Sequence, residues 1–202
     1  MFYLILVHPI NYHHLNKKYQ CKISGVDFKE DLSYPDFEKI TFYQGLFYEQ
    51  NIPTNKFDVV TMWHFFEHDY DPNQSLEMAK KVLKPGGKLI IEVPRLDSAT
   101  FKWFKNKWPG VQAPQHTALY DKKCFLEMLK KNNLIVEEYL PYGAFPAYFY
   151  IFTGTYFKTI GKGLNLNKII FPYFLGQFLL APLLWFQKKL NLSMQTVVCR
   201  LP

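Results

Sequence analysis

The sequence predicts an α/β fold, in which a mostly parallel sheet carries helices on both faces. Two mainly apolar runs, 57–62 and 88–93, have the composition of strands that are buried on both faces. A segment with helical spacing and clear start and stop signals lies between them. Strand, helix and strand in this order are typical of a parallel pair joined by a helical crossover. The chain has 202 residues, 49% of them hydrophobic, which is enough for one well-buried domain.

The first part of the chain adds further elements to this pattern. The apolar run FYLILV near the N-terminus is suited to a central strand, and 11–19 is predicted to be helical. Short β-prone runs follow at 21–27 and 40–43. The N-terminal run has no basic residues before it and no small-residue cleavage site, so we expect no secretory signal.

The helix between the two buried strands has the clearest signals. Asp71 is suited to the N-cap, Pro72 to the first turn, and Gln74 completes a pair three residues after the cap. The sequence KPGG at 84–87 ends the helix, because proline cannot continue it and glycine accepts positive φ. The residues predicted to face the core are Leu76, Ala79 and Leu83.

A second helix is predicted to begin after Asp121 and to end near Lys131, at the pair Asn132 and Asn133. A strand over 134–140 follows it. The residues of this helix predicted to face the core are Phe125, Leu126 and Leu129.

Charge is distributed unevenly along the chain. All 17 acidic residues lie at or before Glu138, whereas the region 139–202 carries six basic residues and no acid, in a protein of net charge +7. These basic residues are spread among aromatic and aliphatic ones, a composition that favours an anionic membrane surface over a phosphate-binding groove. We therefore expect no nucleic-acid partner.

The apolar segment 144–193 is predicted to be a helical insertion, so that the α/β domain comprises 1–143 and 194–202. Its run 169–186 is uncharged but is interrupted by Pro172, Gln177 and Pro182, so a single membrane-spanning helix is not expected. Three interpretations remain open: peripheral contact with a membrane, a lid over an apolar substrate, or burial against the sheet or a second subunit of a homo-oligomer.

The three cysteines, Cys21, Cys124 and Cys199, are far apart and form no CxxC pair. Neither a disulfide framework nor a zinc knuckle is indicated, and a reducing compartment fits best. We expect a cytoplasmic protein, with the inner face of the membrane as the alternative location if 144–193 makes peripheral contact.

Four sequence blocks occur in a specific order: GVDF, FDVVTMWHFFEHDYDP, VLKPGGKLIIEVPRLDS and APQHTALYDKKCFLEMLKKNNL. Together they resemble class I S-adenosylmethionine-dependent methyltransferases of the bacterial small-molecule type, over roughly 11–142. The resemblance implies a Rossmann-like sheet ending in an antiparallel hairpin, here 134–140 and 196–200. It also implies S-adenosylmethionine as cofactor and methyl transfer to a small or lipid-linked acceptor.

Four residues are candidates for contact with the cofactor. Asp27 ends its strand at the carboxyl edge of the sheet, where open α/β sheets bind ligands, and the resemblance implies that it accepts the ribose hydroxyls. The alternative is a solvated loop acid or a helix cap. Gly25 would keep the strand end open, while Trp63 and His64 follow a buried strand and should touch the methionine or adenosine moiety. Trp63 is equally suited to the core.

His68 and His116 are the candidate catalytic residues, each as a general base or, for His116, as a substrate contact. For both, the structural alternative is a loop histidine that bonds the backbone. The run HFFEH, 64–68, also matches the HxxEH zinc-protease signature, which requires both histidines on one face of a helix. Because a strand precedes the run and DYDP follows it, we expect a loop here and no metal ion.

One family motif is missing from the sequence. Members carry a glycine-rich turn after the first strand, where the bare backbone approaches the cofactor. This chain has His8 and Pro9 at that place, and proline has no N–H. The alternative function is therefore a catalytically inactive or truncated methyltransferase-like domain that acts as a membrane-associated or partner-binding module.

Overall fold

The structure is a computed structural model. It describes residues 1–6, 21–28, 40–111, 114–143, 147–159 and 192–202, together with 175, 176, 178, 179, 182 and 186. Seven strands are β1 (Phe2–Leu6), β2 (Lys22–Asp27), β3 (Thr41–Gln44), β4 (Phe57–Trp63), β5 (Leu83–Pro94), β6 (Ile135–Leu140) and β7 (Met194–Arg200). The helices are α1 (Pro72–Val82), α2 (Ala99–Phe104), α3 (Lys122–Lys131) and α4 (Ala147–Thr159), with short 3₁₀ turns at Phe47–Glu49 and Lys105–Lys107.

The strands form a single sheet in the order β3-β2-β1-β4-β5-β7-β6. The pairs from β3 to β5 are parallel, whereas β7 is antiparallel to both β5 and β6. This confirms the predicted fold class, including the antiparallel C-terminal hairpin. β6 ends at Leu140 and β7 begins at Met194, so the predicted insertion falls between the two hairpin strands.

β1 occupies the centre of the sheet, as its apolar composition predicts. Leu4 and Leu6 are fully buried, and β1 pairs with β2 on one side and β4 on the other. The chain goes from β1 to one neighbour and later crosses to the other, so the strand order reverses between β1 and β4. In open α/β sheets, ligands bind outside the carboxyl ends of the strands at such a reversal.

The predicted helix over 11–19 lies outside the described residues.

The capping signals around α1 act as predicted. The Asp71 carboxylate accepts hydrogen bonds from the Gln74 backbone N–H at 3.1 Å and from the Gln74 side-chain amide at 2.8 Å. The residues predicted to face the core, Leu76, Ala79 and Leu83, are all fully buried.

β5 begins at Leu83, earlier than the predicted strand over 88–93, and so it includes KPGG. Leu83 already pairs with Phe57, and the ladder then shifts register before Val59. Gly86 has a φ of 77°, which only glycine adopts readily, so it accommodates this irregularity.

α3 and the strand after it also match the prediction. Asp121 caps the helix through the Cys124 backbone N–H at 2.7 Å, and Asn133 ends it with a φ of 57°. Phe125 and Leu129 are fully buried, while Leu126 is half-buried.

No helix within the described ranges is both long and apolar enough to cross a bilayer. Most of the uncharged run 169–186 lies outside those ranges.

Candidate functional site

A cavity of about 220 Å³ opens at the carboxyl edge of the sheet. The loop after β4, the loop before α3 and the start of α4 supply most of its walls. The residues lining it are His64, Glu67, His68, Pro109, His116, Phe149 and Tyr150. Three of the residues singled out from the sequence, His64, His68 and His116, therefore meet in one place.

The run HFFEH is a loop and not a helix, as predicted. His64 has a φ of 50°, and the next residues form a turn in which the His68 backbone N–H bonds the Phe65 carbonyl at 2.9 Å. The two histidines consequently have different neighbours: His64 contacts two carboxylates, and His68 lies against His116. The helical geometry of an HxxEH zinc protease is not present at residues 64–68.

His64 sits between two buried carboxylates. Its Nδ1 lies 3.3 Å from Glu67 Oε1, and its Nε2 lies 3.4 Å from Glu92 Oε1. Burial alone would lower the pKa of His64, but the hydrogen bonds and charges of Glu67 and Glu92 outweigh it and raise the pKa to about 9. His64 is therefore a cation at neutral pH.

Glu67 connects this charged group to the cavity. Its side chain is fully buried, and while Oε1 contacts His64, Oε2 has no hydrogen-bond partner among the described residues. The Glu67 backbone carbonyl accepts from the Thr117 N–H at 2.8 Å, which fixes the loop before α3 against the loop after β4.

His68 and His116 are each held by a hydrogen bond from the ring to a backbone carbonyl. His68 Nδ1 lies 3.0 Å from the Gln115 carbonyl oxygen, and His116 Nδ1 lies 2.7 Å from the Gly110 carbonyl oxygen. A carbonyl only accepts, so Nδ1 carries a proton in both rings, and in the neutral form of either ring Nε2 has the lone pair. The rings meet edge to face with centroids 4.5 Å apart. Burial lowers the pKa of His116, which favours the neutral ring.

α4 covers the cavity from the side of the insertion. Tyr150 is 5% exposed, and its hydroxyl lies 3.1 Å from the Met194 sulfur at the start of β7. The Tyr150 ring also packs against Trp108, with centroids 5.4 Å apart. The described start of the insertion is thus attached to the sheet and supplies an aromatic wall to the cavity.

The other candidate residues lie apart from the cavity lining. Asp27 is half-buried at the carboxyl end of β2, and its carbonyl accepts from the Gly45 N–H at 2.9 Å. Gly25 is buried in β2, where it pairs with Ile5 of the neighbouring strand β1. Trp63 is half-buried and packs against the apolar cluster of Ile5, Cys21 and Ile23.

Sequence reasoning missed Glu92 and Tyr150. Glu92 carried a visible signal, because it is the one acid in the buried strand run LIIEVP, and a buried charge needs a partner. Tyr150 carried none: it is one of several aromatic residues in an apolar segment, and only tertiary packing selects it.

The family model described as a methyltransferase domain matches residues 10–139. No curated protein matches the chain in sequence.

Solved structures share the fold at low sequence identity. One is phosphoethanolamine N-methyltransferase 2 of Haemonchus contortus in complex with S-adenosyl-L-methionine, with a TM-score of 0.64 and 16% identity, covering 100% of this chain and 49% of that one. A SAM-dependent methyltransferase from Archaeoglobus fulgidus has a TM-score of 0.61 and 15% identity, covering 98% and 85%. The [4+2]-cyclase SpnF has a TM-score of 0.62 and 13% identity, covering 100% and 75%.

Proposed function

Because the chain belongs to the class I S-adenosylmethionine-dependent methyltransferases, we propose that it methylates a small or lipid-linked acceptor held in the cavity of His68 and His116. S-adenosylmethionine is its cofactor and supplies a methyl group already activated on a sulfonium. The residues of the chain then have to orient the acceptor, exclude water and accept a proton where the acceptor carries one.

The described residues on the cofactor side fit this role. Asp27 ends β2 beside the reversal of strand order, with its side chain half-buried, and a carboxylate offers two oxygens for a ribose diol. Gly25 lies in the same strand, β2, and has no side chain that would occupy the space beside β1. Trp63 is the last residue of β4 and His64 follows it, at the same edge of the sheet, where both would border the bound cofactor.

On the acceptor side, the observation that carries the proposal is the pair of imidazoles at the cavity wall. Each ring donates its Nδ1 proton to a backbone carbonyl and keeps a lone pair on Nε2. An acceptor hydroxyl or ammonium group in the cavity would donate to one of these nitrogens, which would orient it and take up its proton. Phe149 and Tyr150 form the apolar side of the same cavity.

Titration with S-adenosylhomocysteine in a calorimeter tests the proposal at its first step. We expect a Kd on the order of micromolar for the full chain, weakened at least tenfold in Asp27→Ala, because one charged hydrogen-bond partner contributes about 1.5–3 kcal/mol. Glu127→Ala, an exposed acid on α3, is the matched control and should bind like the parent protein.

A protein that melts cooperatively but does not bind S-adenosylhomocysteine would contradict the enzymatic proposal. The alternative, a catalytically inactive methyltransferase-like module that binds a membrane or a partner, would then be favoured. Its sequence basis is His8-Pro9 in place of the glycine-rich turn. The same fold in a [4+2]-cyclase illustrates that the fold alone does not specify methyl transfer.

We also propose that the insertion 144–193 makes peripheral contact with the inner face of the cytoplasmic membrane, where a lipid-linked acceptor would be presented. Three apolar side chains of the insertion, Leu175, Phe178 and Leu179, are 54–77% exposed. The only charged residues of 144–193 are lysines, and lysines near an apolar surface favour anionic lipids.

Sedimentation with vesicles tests this contact. We expect the protein to sediment with vesicles that contain anionic lipid, and binding to fall by at least tenfold in Lys188→Gln/Lys189→Gln, since each lysine near the surface contributes about 1 kcal/mol. Lys130→Gln/Lys131→Gln at the end of α3 is the matched control. Protein that stays in the supernatant with anionic vesicles, or forms a dimer instead, would favour burial of the insertion against a second subunit.

A further inference from the structure

We propose that Glu67, His68 and His116 form a binding site for a divalent metal ion of the zinc type, at the wall of the cavity. Each residue offers one donor atom, and these atoms all lie within 4.8 Å of one another. Two imidazoles and one carboxylate are a ligand set that zinc uses in catalytic sites. The proposal does not depend on methyl transfer, because metal binding can be measured without cofactor or acceptor.

Both histidines already make the outer hydrogen bond that is typical of a metal-ligating histidine. A ligating histidine typically donates its other ring N–H to a carbonyl or carboxylate, which fixes the tautomer and the ring orientation. His68 does so to the Gln115 carbonyl at 3.0 Å, and His116 to the Gly110 carbonyl at 2.7 Å. In both rings, Nε2 is therefore the nitrogen that is available to a metal.

Glu67 supplies independent evidence for a ligand. Its side chain is fully buried and lines the cavity, yet Oε2 has no hydrogen-bond partner within the described part of the chain. Burying a carboxylate oxygen without a partner is costly. A cation at this position would satisfy Oε2, while Oε1 keeps its contact with His64.

A purely structural role explains less of the geometry. If His68 and His116 only connected two loops, their Nδ1 hydrogen bonds would be sufficient. The edge-to-face packing of the rings, with centroids 4.5 Å apart, would then be ordinary aromatic contact. That interpretation gives no reason for the unpartnered Glu67 oxygen beside them.

The site also differs from the zinc-protease pattern in the sequence. There, His64 and His68 would bind the ion and Glu67 would act as a base. Here His64 contacts Glu67 and Glu92 instead, His116 comes from a distant loop, and Glu67 is a ligand. The HxxEH motif by itself does not include His116, so it does not predict this set of ligands.

Three protein ligands leave at least one coordination position open toward the cavity. An ion at this place would contact the oxygen or nitrogen atom of a molecule in the cavity. The Nε2 lone pairs of His68 and His116 would then bind the ion, so the histidines would act on an acceptor through the metal and not as bases.

Calorimetric titration of the chelator-treated full chain with Zn²⁺ tests the site. We expect one ion per chain with a Kd on the order of micromolar or tighter. His116→Ala and His68→Gln should each weaken binding by at least tenfold, since even the loss of an outer partner of a ligand weakens a site by roughly 10–100-fold. His13→Gln/His14→Gln is the control for binding to other histidines of the chain and should bind like the parent.

Because Glu67 also contacts His64, the two histidine variants decide the result, and cooperative melting confirms that each is folded. Absence of one-to-one binding, or binding that both histidine variants leave unchanged, would overturn the proposal. Titration of the same samples with S-adenosylhomocysteine separates the two proposals: a chain that binds S-adenosylhomocysteine but not Zn²⁺ lacks the metal site only.

Discussion

Replacement of His64 by leucine is expected to lower the free energy of unfolding by about 3–5 kcal/mol, as removal of one partner from a buried ion pair does. Both ring nitrogens of His64 face carboxylates, Glu67 at 3.3 Å and Glu92 at 3.4 Å. Each of these two carboxylate side chains is 1% exposed. Without the imidazolium, both buried carboxylates would lose the charged partner that lies between them.

Urea unfolding of chelator-treated protein at pH 7 measures the loss without a contribution from bound metal. Two further variants separate its causes. His64→Asn removes the charge but tolerates the φ of 50°, so it should retain most of the destabilisation. His64→Leu/Glu67→Gln/Glu92→Gln also removes the two carboxylate charges that face His64 and should recover more than half of the lost free energy of unfolding. A loss below about 1 kcal/mol in His64→Leu would show that the carboxylates have other adequate partners.

The fold could be predicted from the sequence where local signals and burial agree. α1 has an N-cap at Asp71, an apolar face and a proline-glycine stop, and each of these acts in the structure as expected. β1 agrees with the composition of FYLILV, because a run without charged residues is suited to a strand that is buried on both faces. The early start of β5 was not predictable, since it depends on the pairing of Leu83 with Phe57 in the neighbouring strand.

The candidate site was predictable residue by residue but not as a constellation. His68 follows the strand β4 and His116 precedes the helix α3, so both residues were expected at the carboxyl edge of the sheet. Their contact with Glu67 depends on the hydrogen bonds of Thr117 to the Glu67 carbonyl, which fix one loop on the other. Such long-range contacts produce no recognisable periodicity or motif in the sequence.

The aromatic wall of the cavity depends on a buried tryptophan, so we expect a substitution of this residue to destabilise the protein strongly. Trp108 is 2% exposed, its ring N–H donates to the Thr100 hydroxyl at 2.9 Å, and it packs between Phe101 and Tyr150. Trp108→Ala is expected to lower the free energy of unfolding by about 3–5 kcal/mol, since it removes the largest side chain of this cluster and leaves a cavity. Tyr150 would lose the surface against which it packs, so the wall that α4 supplies should loosen.

Chemical denaturation measures this loss, and the chain offers a matched control in Trp103. That side chain is 65% exposed, so Trp103→Ala should change the free energy of unfolding by no more than about 0.5 kcal/mol. Trp108→Phe should fall between the two, because it keeps an aromatic ring beside Tyr150 but leaves the Thr100 hydroxyl without its donor. Equal losses in Trp103→Ala and Trp108→Ala would contradict the buried position of Trp108. They would also remove the reason to regard α4 as a fixed wall, and an acceptor pocket would then have to be formed by the two loops that carry His68 and His116 alone.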